Sequence, residues 1–105
     1  MAWLYLCIAG LLEIVWAISL KRTDGFSNLR WSIVTIAGMA ASFHFLALAL
    51  KTLPIGTAYA IWTGIGAVGT AALGMVFFSE SADLPRLACI GLIVVGMIGL
   101  KITTA

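Results

Sequence analysis

The sequence is poor in charged residues, cysteine and histidine, and each shortage excludes a class of protein. Charged residues make up 10% of the 105 residues, whereas hydrophobic residues make up 63%. A chain this short cannot bury so much apolar surface in a water-soluble core. Cys7, Cys89 and His44 lack the spacing of a metal or redox motif, and a net charge of +2, spread over helix ends, does not suggest a nucleic-acid partner. We expect an integral membrane protein, with neither cofactor, metal centre nor enzymatic activity.

Four long apolar runs, separated by short polar joints, occupy almost the whole sequence. They predict helices at about residues 2–20, 31–50, 57–78 and 84–102, and a helix of about 20 residues crosses the ~30 Å hydrocarbon core of a bilayer. Asp83 or Ser81 is expected to cap the fourth helix. The first run is too long for the apolar part of a signal peptide, so we expect it to be retained as a span. Residues 1–105 are therefore interpreted as one four-helix transmembrane domain.

Glu13 lies in the middle of the first apolar run, near the expected centre of the membrane. A carboxylate at that depth is costly and is by default a candidate functional residue. All six Lys and Arg residues lie near predicted helix ends, so none is placed to neutralise it. Because burial disfavours the charged form of a carboxyl group, Glu13 can hold a proton or a cation in turn. A buried acid with a purely structural role is the alternative.

Polar and aromatic residues on the second and third helices recur at spacings that can meet Glu13. Ser42 is the expected partner of the carboxylate, although an intramembrane serine often bonds the backbone of its own helix. The third helix carries a face at i, i+3, i+4 and i+7 made of Tyr59, Trp62, Thr63 and Gly66. Trp16 and Trp62 lie deep in their spans. A buried indole N–H needs an acceptor, for which a carboxylate is the obvious choice, and the aromatic faces attract cations.

Glycines interrupt the third and fourth helices. Gly64 and Gly66 lie well inside the third helix and permit either close helix packing or a hinge. The fourth helix has no polar residue at mid-membrane, and its small residues indicate contact with another helix; they are Gly91, Gly96 and Gly99. We therefore expect the first three helices to form the site and the fourth to form a dimer contact.

These motifs together resemble the small multidrug resistance family. They are Glu13 followed by Trp16, the pairs Leu20-Lys21 and Gly25-Phe26, and above all LPIGTAYAIWTGIG at residues 53–66. The resemblance covers essentially the whole chain. It implies an all-α membrane protein of the bacterial inner membrane, assembled as an antiparallel homodimer whose shared pocket opens to one side at a time. Protons and a cationic substrate would compete for the two copies of Glu13, so that proton influx drives efflux of the cation.

Within that family, Trp16 and Met39 resemble the guanidinium-exporter subtype, since the quaternary-ammonium subtype typically has Gly and Tyr at these two positions. The resemblance implies that Glu13 binds both proton and guanidinium, that Ser42 and Trp16 orient its carboxylate, and that Tyr59 gates between the two glutamates. The pocket and its hydrogen bonds would be formed by Gly10, Trp16, Ser42, Tyr59 and Trp62, and the lateral portal to lipid by Met39 and Phe43.

Two other functions remain open, an exporter of quaternary ammonium compounds and a structural membrane subunit without a transport cycle.

The basic residues indicate how the chain is oriented in the membrane, because two of them fall on one side of the membrane and four on the other. This difference is a weak orientation signal under the positive-inside rule. We expect insertion in both orientations, as an antiparallel homodimer requires.

Overall fold

The computed structural model describes residues 1–104, which form four helices joined by short loops. They are α1 (Ala2–Arg22), α2 (Leu29–Ala49), α3 (Ile55–Phe77) and α4 (Leu84–Thr103). Each is long and apolar enough to cross a membrane. The predicted all-α fold with four candidate spans is confirmed.

The helix ends follow local capping chemistry. Helix α2 begins two residues earlier than predicted, because the side chain of Asn28 accepts a hydrogen bond from the Trp31 N–H (3.3 Å). Helix α3 begins directly after Pro54, whose ring ends the preceding loop. Asp83 caps α4 by accepting a hydrogen bond from the Arg86 N–H (3.3 Å). Of the two cap residues considered, Asp83 therefore takes that position.

The loop between α1 and α2 is a left-handed turn. Asp24, Gly25 and Phe26 have φ angles of 51°, 68° and 67°, a region that glycine adopts readily and other residues rarely. Thr23 is fully buried beneath the turn. Its hydroxyl donates to the Leu20 carbonyl (2.7 Å) and accepts from the Phe26 N–H (3.2 Å). These bonds satisfy backbone groups at the end of α1 and reverse the chain within a few residues.

Helix α1 is the centre of the fold, because it packs along both α2 and α3, whereas the backbone of α4 approaches only α3 within residues 1–104. Close approach of α1 and α3 depends on a small residue. A Cβ atom on Gly10 would lie 2.6 Å from Cγ2 of Ile65, so a larger residue there would force the helices apart. Helix pairs in membranes commonly pack in this way.

The distribution of polarity is the reverse of that in a water-soluble protein. The buried polar residues are Ser19, Thr23, Ser32, Thr35 and Ser42. Large apolar side chains point outward along all four helices, and α4 buries no residue between Leu84 and Thr103. An outer surface of this kind suits lipid or a second protein copy rather than water.

Candidate functional site

Glu13 lies on α1 where that helix faces α3. One of its carboxylate oxygens, Oε1, is buried and has no hydrogen-bond partner within residues 1–104. The ion pair between Arg86 and Glu80 is the only one in the same part of the chain, so no basic side chain pairs with Glu13. The structure therefore leaves the intramembrane carboxylate available to an occupant from outside the chain.

The carboxylate opens into a groove, hereafter the polar groove, with a cavity volume of about 420 Å³. Helix α1 contributes Glu13 and Ala17. Helix α3 contributes a face of small and hydroxyl-bearing residues, namely Thr63, Gly66, Ala67, Thr70 and Ala71. Glu80, in the loop between α3 and α4, and Arg86, in the first turn of α4, form its far end. The groove thus runs from the middle of the fold to one of its surfaces.

Gly66 makes room for the glutamate. A Cβ atom built on Gly66 would overlap the carboxylate oxygen Oε1 of Glu13. The side chain of Glu13 therefore lies against the bare backbone of α3, and any residue larger than glycine at position 66 would displace the carboxylate.

Ser42 connects three helices but does not bond Glu13. The indole N–H of Trp62 donates to Ser42 Oγ (3.0 Å), and the Ser42 hydroxyl donates to the Ala9 carbonyl (2.7 Å). Since a serine hydroxyl has one proton to donate, its bond to Ala9 leaves none for the carboxylate. The acceptor of the Trp62 N–H is therefore a serine, and the prediction of a carboxylate acceptor is wrong. The network is buried one turn before Glu13 on α1.

A row of aromatic rings follows this network. The Phe43 ring centroid lies 6.4 Å from that of Trp16 and 5.7 Å from that of Trp62, and the Tyr59 ring centroid lies 5.5 Å from that of Trp62. The Trp16 Nε1 is buried without a hydrogen-bond partner within residues 1–104. An unpaired donor and an unpaired acceptor, from Trp16 and Glu13, thus lie one turn apart on α1.

The other predicted site residues lie apart from this cluster or act in packing. Met39 is half-buried on α2, and Gly10 packs against Ile65. Helix α3 continues through Gly64 and Gly66 without interruption, and a Cβ on Gly64 would lie 2.5 Å from the sulfur of Met97 on α4. The predicted contact glycines have open space beside them within 4 Å of an added Cβ, and these are Gly91, Gly96 and Gly99.

The far half of the polar groove contains residues that were not predicted as part of the site. Thr70 continues the spacing that runs through Tyr59, Thr63 and Gly66, so extending that face by one turn identifies it. Glu80 and Arg86 carry no such signal, because they reach the groove only where the loop folds back over the end of α3.

Four membrane-crossing helices and one unpaired intramembrane acid, opening into a groove, define a multi-pass α-helical membrane protein with a polar site inside its helix bundle. Residues 1–93 match the family described as Small Multidrug Resistance protein. The chain belongs to the small multidrug resistance family.

Relatives match the chain over nearly its full length. It is 61% identical over 104 residues to a protein named guanidinium exporter from Yersinia pseudotuberculosis, covering 99% of this chain and 100% of the relative. Proteins of the same name from Escherichia coli K12 and Citrobacter freundii are 58% and 59% identical over 104 residues, covering 99% of each chain.

Proposed function

We propose that this protein exports guanidinium and small substituted guanidinium cations across the bacterial inner membrane in exchange for protons. The observation that carries the proposal is the unpaired carboxylate of Glu13 in the polar groove. Relatives that share about 60% of the sequence are named guanidinium exporters, which supports the choice of substrate.

A single carboxylate accounts for the coupling. A charge inside the membrane is expensive unless it is neutralised, and within residues 1–104 no basic side chain neutralises Glu13. A proton and a cation each neutralise it, and they do so at the same atoms. Binding of one therefore requires release of the other, which is the exchange that an antiporter needs.

The shape of the site favours a planar cation with N–H donors. A guanidinium donates two parallel hydrogen bonds to a carboxylate, whereas a quaternary ammonium has no N–H to donate. Gly66 lets the Glu13 carboxylate lie against the backbone of α3, which limits its movement. The bonds from Trp62 to Ser42 and from Ser42 to Ala9 hold the neighbouring helices together. A preorganised site of this kind loses little entropy on binding.

The active form in this proposal is an antiparallel homodimer that alternates between two openings. The apolar surface of α4 and the open space beside Gly91, Gly96 and Gly99 support a contact with a second copy there. Two copies of Glu13 would face one cavity, with Tyr59 between them as a gate and with Gly64 and Gly66 as a hinge in α3. Met39 and Phe43 would form the lateral portal through which an apolar substituent projects into lipid.

Electrical currents from liposomes on a solid-supported membrane test the proposal. Guanidinium and singly alkylated guanidiniums are expected to give currents, because two protons enter as one cation leaves. A large rigid dication at equal ionic strength is expected to give little. Protein-free liposomes control for leakage. Currents from the dication that exceed those from guanidinium would establish the quaternary-ammonium alternative, and no current from any cation would establish a non-transporting subunit.

A further inference from the structure

We propose that Glu80 is a second, outer binding site for the guanidinium cation, at the surface end of the polar groove, and that the side chain of Arg86 is a tethered competitor which the cation displaces. The proposal that the cation binds here on its way to or from Glu13 rests on the proposed function. Binding of guanidinium at Glu80 does not depend on transport and is tested separately.

Glu80 shares the groove with Glu13. The chain has four acidic residues, and these two line the same cavity. Nη2 of Arg86 lies 2.6 Å from Oε1 of Glu80, and the two side chains are 34% and 35% exposed. The pair therefore lies at the mouth of the groove, where a cation from the aqueous phase reaches it first.

The backbone holds both members of the pair in place. The Glu80 N–H donates to the Gly74 carbonyl (3.2 Å), and a Cβ on Gly74 would lie 2.6 Å from the Glu80 carboxylate. The absence of a side chain at Gly74 thus lets Glu80 lie against α3. Arg86 is fixed in the first turn of α4 by the Asp83 cap. Neither position depends on the ion pair, so the pair can open while the loop stays folded.

The head group of Arg86 is itself a guanidinium group. Glu80 therefore already binds a group with the same chemistry as the proposed substrate. The contact runs through one nitrogen and one oxygen, whereas a free guanidinium can donate in parallel to both carboxylate oxygens. Water reaches about a third of each side chain, and an ion pair that is accessible to water contributes little net stability. A free guanidinium can therefore compete with the tethered one.

One polar group, the hydroxyl of Thr70, lies between the two carboxylates. Gly66 lies against Glu13 and Gly74 lies against Glu80, and positions 66 and 74 are about 12 Å apart along a helix axis. Thr70 is midway between them on the same face. Its hydroxyl oxygen is buried, lines the groove, and has no hydrogen-bond partner within residues 1–104. It is placed to accept an N–H of a cation that moves between Glu80 and Glu13.

Other basic groups near this end are engaged elsewhere. The Lys21 ammonium lies 5.1 Å and the Arg22 guanidinium 5.3 Å from the centre of the Phe78 ring. Arg86 is therefore the cation that a substrate must displace.

Two substitutions distinguish an outer site from a purely structural ion pair. Glu80→Gln removes the carboxylate and is expected to raise the guanidinium concentration for half-maximal current by about two- to fivefold. Arg86→Gln removes the competitor and is expected to lower the guanidinium concentration for half-maximal current by a similar factor. Both changes break the same ion pair, so a structural role predicts shifts in the same direction. Asp83→Asn is the matched control, because it removes a carboxylate from the same loop at a residue that does not line the groove. Asparagine caps helices as well as aspartate does, so α4 keeps its cap. Shifts in the same direction would overturn the proposal.

Direct binding is tested in Glu13→Gln protein, in which the central carboxylate is absent. The Nε–H signal of Arg86, one of three arginines, is assigned by its loss in Arg86→Lys. It is then followed by nuclear magnetic resonance while guanidinium chloride or sodium chloride is added into the millimolar range. A saturable shift with guanidinium alone, lost in Glu80→Gln and kept in Asp83→Asn, is expected. Equal responses to the two salts, or a guanidinium response that persists in Glu80→Gln, would overturn the site. Absence of guanidinium current in the unchanged protein would refute the proposed function and leave this binding result intact.

Discussion

Glu13 and Glu80 are the same side chain in the same groove, yet among residues 1–104 only Glu80 has a basic side chain paired with it. Glu80 lies in a loop at the surface and is paired with Arg86, whereas Glu13 lies on a central helix and has an unpaired oxygen. The surroundings of Glu13 are held by bonds that link α3 to α2 and α2 to α1. Under the proposed function, an acid serves as an exchange site where neighbouring helices hold its surroundings rigid and no basic side chain within residues 1–104 pairs with it.

The largest effect is expected from removing the charge at Glu13. Glu13→Gln keeps the size of the side chain but cannot exchange a proton, so guanidinium-driven current should fall to that of protein-free liposomes. Asp24→Asn is the matched control, because it removes an acid outside the groove and asparagine tolerates the left-handed backbone there. Undiminished current in Glu13→Gln, with the control also active, would refute the role of this residue.

A second substitution makes Glu13 resemble Glu80 by giving it a tethered cation. Ala17 lines the groove one turn after Glu13, so a lysine there would pair with the carboxylate at the favourable i, i+4 spacing. Current in Ala17→Lys should fall by about tenfold or more, because such a pair is strong in a low-dielectric site. Ala17→Met, of similar length without the charge, should lose much less. Equal losses in the two variants would assign the effect to bulk alone.

A smaller effect is expected from a substitution that leaves Glu13 unchanged but moves its carboxylate. The methyl group of Gly66→Ala would collide with the Glu13 carboxylate, and misplacement of a binding group by a fraction of an ångström lowers the rate, here by roughly three- to tenfold. Gly56→Ala on the same helix is the control, since an added Cβ there meets nothing within 4 Å. The measurement is the maximal guanidinium current and the concentration that gives half of it. A Gly66→Ala protein that behaves like the control would show that the carboxylate does not need this space.

The smallest effect on guanidinium current is expected from substitution of Ser42. The same substitution is expected to lower the stability of the fold measurably. Ser42→Ala leaves the Trp62 N–H without an acceptor and removes the added bond to the Ala9 carbonyl, which should lower the free energy of unfolding by about 1–3 kcal/mol. Ser32→Ala is the control, because that hydroxyl bonds only the Asn28 carbonyl just before its own helix. Thermal unfolding in detergent compares the two. Equal unfolding temperatures for the two variants would mean that the three-helix network contributes no special stability.

Much of this arrangement is predictable from the sequence, because its signals are local. Long apolar runs predict the four helices, one acid inside such a run predicts Glu13 as the site, and the spacing through Gly66 predicts the face of α3 that meets it. The partner of Ser42 is not predictable, since its single proton can reach several acceptors and only the packing of α1 on α2 selects Ala9. The position of Glu80 in the groove is not predictable either, because it depends on a loop that folds back onto Gly74.

In the proposed dimer, the exposed surface of α4 would make the folding of one copy and the pairing of two copies separate equilibria. No side chain between Leu84 and Thr103 is buried in a single copy, and lipid tails are as apolar as the side chains they touch, so pairing gains little from the hydrophobic effect. If two copies pair through this helix, the dimer forms by mass action within the membrane. Activity should then rise more steeply than in proportion to the amount of protein per unit of lipid, and the level of expression would itself regulate export.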